Sequence, residues 1–330
     1  MQKKLVVLSS PFIRNKEVST RGIMLDVVIA LLPTAFAAIW FFGRSALIHI
    51  VVAVASAVLA EWLYNRIMNQ KQTIFDLSAV VTGLLLAFNL PAGAPWWISM
   101  TGSALAIVLV KQIFGGLGQN FMNPALTART ILMLSWAGYM ASTMPQAGQL
   151  FSGLMEHSID VVASATPLSR GTTVVYSLRD LFMGDIPGMI GETCKATLLL
   201  GGIYLLLRRV IDWRVPVFFI GTTLVLFWAY TGVFYSVESG AQNAVYQVLT
   251  GGLILGAFFM ATDYVTCPIT KWGKVIMGIG CGLILFVIRA FNNAYPEGCS
   301  FAILFMNVLT PLIDRWTMPR AFGSKPVKAK

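Results

Sequence analysis

The chain has 330 residues, of which 57% are hydrophobic and 12% charged, and its formal charge is +10. A soluble domain carries about 25% charged residues, so this composition, with a mean hydropathy of +0.74, excludes an ordinary water-soluble fold and indicates an all-α polytopic membrane protein. The basic balance does not indicate nucleic acid as a partner, because no aromatic-interleaved basic patch or zinc spacing accompanies it; the partner it implies is membrane lipid, with Lys and Arg gathered in loops on one side.

Residues 1–21 are expected to form a basic cytoplasmic arm. Lys3 and Lys4 precede an apolar run, Leu5 to Leu8, that is too short for a secretory signal. A span needs about 20 apolar residues. On that rule residues 22–141 hold five spans, near 22–43 (with Pro33 inside), 45–65, 76–90, 97–114 and 123–140. The third is short and ends at the turn Pro91-Ala-Gly-Ala-Pro95, after which Trp96 and Trp97 suit a membrane interface. Residues 142–189 are a polar, extracytoplasmic interval. Residues 190–316 hold five more spans, near 190–207, 215–233, 244–261, 275–291 and 300–316, and 317–330 is a basic tail. That gives about ten transmembrane helices.

Charge tests this order. One set of alternate segments holds 18 of the 24 Lys and Arg residues, among them Lys111; the other holds six, Arg44, Arg129, Arg170, Arg179, Lys195 and Arg289. The positive-inside rule then places both termini in the cytoplasm and residues 142–189 outside. An internal repeat accompanies it. Val81-Thr-Gly83 through Phe88 resembles Leu249-Thr-Gly251 through Phe258, and Phe121-Met-Asn123 resembles Phe305-Met-Asn307. Five spans per half would make the halves inverted, a plan that puts sites where helices are interrupted near the midplane.

The glycine break supplies one candidate site. Gly115, Gly116 and Gly118 permit non-helical backbone beside Asn120, and Asn123 followed by Pro124 reads as an N-cap with proline at the first helical position. A helix N-terminus there could offer N–H groups to an anion or a flavin carbonyl; a simple turn between spans explains the same residues. It is neither a P-loop nor a dinucleotide fingerprint, because Lys-Ser/Thr is missing and no strand precedes it. Asp26, Glu61, Glu192 and Asp263 lie near or in the membrane, where ionisable groups are costly. Asp26 and Glu61 are expected to meet a basic group or lipid headgroups, and Glu192 to suit the dipole of the sixth helix. His49 and His157 have no partners at metal-ligand spacing, and Cys194, Cys267, Cys281 and Cys299 form no CxxC pair; three of the four lie in or beside predicted helices and read as buried thiols, with a cluster shared with another subunit as the alternative.

The second candidate is Asp160-Val-Val-Ala-Ser164-Ala165-Thr166-Pro167 in the polar interval. Pro167 biases Thr166 towards extended backbone, which leaves its hydroxyl presentable. Arg170 and Arg179 are near enough in sequence to approach a phosphate, for which guanidinium geometry is suited. By residues alone this is also an ordinary turn with solvated charges.

At this point the sequence resembles a known family. Gly22-Ile-Met-Leu-Asp-Val-Val-Ile-Ala-Leu-Leu-Pro33, Gly115-Gly-Leu-Gly-Gln-Asn-Phe-Met-Asn-Pro-Ala125, Ile190-Gly-Glu-Thr193, Tyr295-Pro-Glu-Gly298 and Leu309-Thr-Pro-Leu-Ile-Asp314 are similar to the D subunit of the Rnf ion-translocating electron transport complex. They also resemble the related B subunit of the sodium-pumping NADH:quinone reductase, from which the short N-terminal arm departs. The resemblance implies a urea-channel-like fold of two inverted five-helix repeats in a bacterial or archaeal cytoplasmic membrane. It implies FMN joined to Thr166 through a phosphoester, with Asp160, Ser164 and Ala165 as the matching flavinylation pattern. Ala163 and Ser164 stand where that pattern usually has Ser or Thr and often Gly. It leaves room for a second, non-covalent flavin such as riboflavin, with Gly115, Gly116, Asn120 and Asn123 as the binding residues.

The implied activity is electron relay between ferredoxin and NAD, coupled to Na⁺ or H⁺ movement. The implied partners are other Rnf subunits, among them a second FMN-carrying subunit and iron–sulfur subunits. The competing readings are a reductase B-type subunit, a urea-channel-like solute permease without a redox role, and a passive scaffold.

Overall fold

The computed structural model describes residues 19–140, 177–184, 186, 188–235, 243–292 and 297–319. These are helices and connecting turns. The chain opens with α1 (Thr20–Ile67), capped by Ser19, whose hydroxyl accepts the Gly22 N–H at 3.1 Å. Inside α1, Gly43 adopts φ 59° and ψ −137°. Only glycine enters that region without strain, so the expected first and second spans form as two segments meeting there.

After a 3-10 turn at Ile74–Asp76, α2 covers Ser78–Phe88. Then α3 (Trp96–Leu105) widens into a π-turn over Ala106–Gln112. Helix α4 is Pro124–Ser135 and α5 is the short Ala137–Met140. The second part comprises α6 (Leu178–Met183), α7 (Lys195–Leu207), α8 (Arg214–Thr231), α9 (Ala244–Leu249) and α10 (Leu253–Leu255), which runs into a π-turn at Gly256–Met260. It ends with α11 (Lys271–Phe291) and α12 (Cys299–Thr317). Among the described residues three helices, α1, α8 and α11, are long and apolar enough to cross a membrane.

The tenth expected span is matched by the 19-residue α12, and the remaining ones are matched by shorter or interrupted helices. The sixth starts at Lys195 rather than 190, because residues 190 and 191 are recruited elsewhere: their N–H groups donate to the carbonyls of Leu90 and Phe88 at 3.0 and 2.9 Å. The eighth is cut at Thr250–Gly252, where Thr250 is extended and Gly251 has φ 65°. Irregular backbone at membrane depth survives only when protein rather than lipid surrounds it. Asn89, Leu90 and Thr250 are accordingly buried.

Side-chain pairings fix the helix directions. His49 Nδ1 lies 2.6 Å from Ser99 Oγ, and Lys111 Nζ lies 2.9 Å from Glu61 Oε2, so the second segment of α1 runs parallel to α3. Helices α8 and α11 are also parallel: Gly278 packs on Val215 and Phe218, Gly282 on Thr222, and Phe227 on Phe286 with ring centroids 5.0 Å apart. By contrast, the first segment of α1 is antiparallel to α7, since Asp26 bonds Tyr204 and Arg208 while Ala30 meets Gly201. Helices α4 and α12 are antiparallel too, with Asn123 beside Asn307 and Arg129 beside Ser300. One apolar core, including Leu31, Phe88, Leu132, Phe219, Leu255 and Ile303, runs through all of these elements.

Candidate functional site

The flavinylation candidates Asp160, Ser164, Ala165, Thr166 and Arg170 lie outside the described residues, as does His157. Gly115, Gly116, Asn120 and Asn123 lie within them, in the break between α3 and α4. Gly115, Gly116 and Gly118 have φ of 112°, 90° and 96°, so this backbone could not be built from L side chains without strain. Asn123 is the N-cap of α4 and Pro124 its first residue, as the sequence predicts.

One expectation changes. Asn123 Oδ1 accepts the N–H groups of Ala125 and Leu126 at 3.1 and 3.2 Å, while Pro124 has none to give. The helix therefore satisfies its own first donors and holds none ready for a ligand. What the break leaves open is the side chain of Gln112: its amide oxygen lies toward Gly116, and its buried amide nitrogen has no hydrogen-bond partner among the described residues.

This break borders a cavity of about 80 Å³ between the first and second halves. Its walls include Ser78, Lys111, Asn120, Asn123, Phe259 and Asp263. The two halves are stitched at its edge: Asn123 Nδ2 donates to the Met260 carbonyl at 3.3 Å, and its backbone N–H donates at 3.2 Å to the Asn307 amide oxygen, assigned in the orientation that satisfies both groups. Thr266 Oγ1 donates to Asp263 at 3.2 Å.

Two buried ionic networks flank the core. In the first, Lys111 (2% exposed) pairs with Glu61 (0%) and donates to Ser78 Oγ at 2.6 Å; Thr73 donates to the same carboxylate. In the second, Arg129 of α4 bonds Asn89 Oδ1 at 2.9 Å, Ser300 Oγ at 2.8 Å and the Glu297 carboxylate, with Glu192 3.5 Å away. Lys195 donates to the carbonyls of Glu192 and Gly251, and Arg289 to those of Gln247, Thr250 and Glu297. The cause is the cut between α9 and α10. A broken helix leaves carbonyls without N–H partners, and in hydrocarbon each unsatisfied one is expensive. Lys195 and Arg289 supply the missing donors.

These networks correct parts of the sequence reading. Glu192 sits in a turn ahead of α7 and faces Arg129 from the other half, so its role is cross-half pairing rather than the helix dipole. Lys111, Arg129, Lys195 and Arg289, counted with the loop cations in the charge tally although they stand inside predicted spans, are buried. Asp26 and Glu61 do meet basic groups, Arg208 at 3.2 Å and Lys111. Sequence reasoning missed the second network, although cations inside the apolar segments of α4 and α11 were a usable signal. All four cysteines are free and buried.

The profile of the NQR2, RnfD, RnfE family matches residues 6–323. The chain is 45% identical to the D subunit of the Na(+)-translocating ferredoxin:NAD(+) oxidoreductase complex of Acetobacterium woodii, over 98% of this chain and 97% of that one. It is 39% identical to the D subunit of the proton-translocating ferredoxin:NAD(+) oxidoreductase complex of Clostridium ljungdahlii, over 97% and 96%. It is 36% identical to the D subunit of the ion-translocating oxidoreductase complex of Escherichia coli, over 97% and 98%. A family-wide profile covering nearly the whole chain, and relatives of the same length, leave one conclusion: this chain belongs to the NQR2, RnfD, RnfE family.

Proposed function

We propose that the chain is the D subunit of a membrane-bound ferredoxin:NAD⁺ oxidoreductase complex that translocates Na⁺ or H⁺, and that Thr166 carries covalent FMN. The single observation that carries the subunit assignment is 45% identity across 98% of the chain to a protein of that name. For the flavin, the support is the Asp160/Ser164/Ala165/Thr166 pattern followed by Pro167. FMN supplies one-electron redox chemistry, and the protein places and tunes it. The chain's own part is to hold the attachment residue outside the bilayer on a rigid helical frame. Its partners in this reading are the other subunits of the complex, including iron–sulfur subunits.

The helix directions support the inverted ten-helix plan. The parallel pair in one half, α1's second segment with α3, has its counterpart in the parallel pair α8 and α11. Elements that occupy matching places in the two halves, α4 and α12, run antiparallel, as inversion requires. Orientation gains support as well. Once the buried Lys111, Arg129, Lys195 and Arg289 are removed from the tally, 17 cations lie on the proposed cytoplasmic side and three outside.

For a second flavin, the Gln112 amide nitrogen, which has no partner among the described residues, suits a ring carbonyl. A cavity of about 80 Å³ is well below the roughly 300 Å³ or more that such ligands occupy, so entry would require the 115–120 backbone to move outward. Asn120 and Asn123 would then line the site.

The intact mass of the protein isolated from its native membrane tests the flavin assignment. We expect one FMN-sized increment in the wild type and none in Thr166→Ala. A native mass equal to that of the amino acids alone would overturn the assignment and favour a channel without a redox role.

A further inference from the structure

A second and larger cavity, of about 680 Å³, lies at the N-terminal ends of α8 and α11. Its volume falls in the range of small-molecule sites. The walls come from residues 206–215, between α7 and α8, and from residues 262–274, ahead of α11. Three cations, Arg209, Arg214 and Lys274, face one carboxylate, Asp212. Asp212 is already committed: its carboxylate bridges Arg214 at 2.9 Å and Lys274 at 3.2 Å. Arg209 has no carboxylate partner among the described residues. Among the lining residues cations therefore outnumber carboxylates three to one; Asp314, which accepts the Ile269 N–H at 3.0 Å, and Asp263 are the further carboxylates whose fields reach Cys267 in the wall. Because α8 and α11 are parallel, the positive ends of both helix dipoles add to the positive charge.

The rim has the opposite chemistry. Ile269 is 74% exposed and Trp213 52%. The Arg214 guanidinium stacks over the Trp213 ring, 5.3 Å from its centroid, an arrangement suited to the membrane–water boundary. Helices α8 and α11 are two of the three long apolar spans, so their starting residues lie where lipid headgroups lie. A ligand that fits must be anionic at one end and apolar at the other.

We propose that this cavity binds the phosphate headgroup of an anionic phospholipid, with Arg209, Arg214 and Lys274 holding the phosphate and the acyl chains lying over Trp213 and Ile269. Basic pockets between transmembrane helices take such headgroups because each cation near the surface strengthens anionic-lipid binding several-fold. A free phosphate would use the cations but gain nothing from the apolar rim.

Native mass spectrometry of the full-length protein in detergent reads this directly. The protein is titrated with phosphatidylglycerol, with phosphatidylcholine and with inorganic phosphate. Phosphatidylglycerol should bind at least about tenfold more tightly than phosphatidylcholine, and Arg209→Gln should weaken it about fivefold. Arg209→Gln/Lys274→Gln should abolish the preference. Arg209 takes part in no ion pair among the described residues, so the single variant decides the matter if the double variant does not fold. Equal retention of the two lipids would overturn the proposal and leave an acidic segment of a partner subunit as the occupant. Unchanged phosphatidylglycerol binding in Arg209→Gln would also overturn it, and so would inorganic phosphate binding as tightly as phosphatidylglycerol.

Discussion

Glu61 and Lys111 stand 2.9 Å apart with almost no solvent contact, one on α1 and the other in the π-turn that ends α3. Removing one partner leaves an uncompensated charge in a low-dielectric interior, which costs about 3–5 kcal/mol. Lys111→Met should therefore lower the melting temperature in detergent sharply. Glu61→Gln/Lys111→Met should recover most of the loss. A double variant no more stable than the single would show that the pair does not act as a unit.

Helix α7 rests on α1 through Gly201, where a Cβ would collide with the Ala30 carbonyl. Backbone cannot yield as a side chain can. Gly201→Ala should destabilise by about 1–3 kcal/mol or more, the range for overpacked cores. Gly221→Ala, on α8 with open space around it, should be neutral or stabilise by up to about 1 kcal/mol. Thermal unfolding of the two variants side by side checks the contrast.

Asn123 caps α4 and also ties that helix to Met260. Asn123→Ala should cost about 0.5–2 kcal/mol from the cap alone. Asn123→Asp retains the capping oxygen but not the donor to Met260, so it should fall between alanine and wild type. Equal stability of the two variants would count against the cap.

Asp212 provides a pH dependence. Burial pushes its carboxyl up, but the Arg214 N–H and the Lys274 and Arg214 cations outweigh that, and it lies below its ordinary 3.8. A group depressed in the folded state stabilises above its unfolded pKa, and the benefit is lost as pH falls through the folded one. The contribution is therefore full at neutral pH and declines only below about pH 4. Melting temperatures from about pH 3 to 7 should show a shallower acid limb for Asp212→Asn, together with a lower plateau.

Flavin attachment should be confined to one residue. Thr166→Ala should abolish in-gel flavin fluorescence while the protein still folds. Thr166→Ser retains a hydroxyl and should keep part of the signal. Fluorescence persisting in Thr166→Ala would place the flavin elsewhere.

Much of the helical layout was legible in the residues. Apolar runs, the Asn123-Pro124 start and the Pro91–Pro95 stop are local signals, and the long apolar helices form within a few residues of where hydropathy places them. The interruption at Thr250–Gly252 was not legible as such. Glycine pairs are common in membrane helices, and the carbonyls that this break frees are bonded by Arg289 and Lys195, which arrive from distant parts of the chain. The same holds for residues 190 and 191, which look like the start of a helix until the carbonyls of Leu90 and Phe88 claim their N–H groups.

What the sequence determined by itself is the solvent this chain is made for, the order of its apolar segments and its family, because hydropathy and contiguous motifs are carried by neighbouring residues. What the tertiary structure decided is where the charges go. Lys111, Arg129, Lys195 and Arg289 stand inside predicted spans with no visible partner along the chain, and they are buried because their partners lie on other helices or at a break in one. Coulomb attraction and hydrogen bonding act through space, and only folding brings those partners within reach.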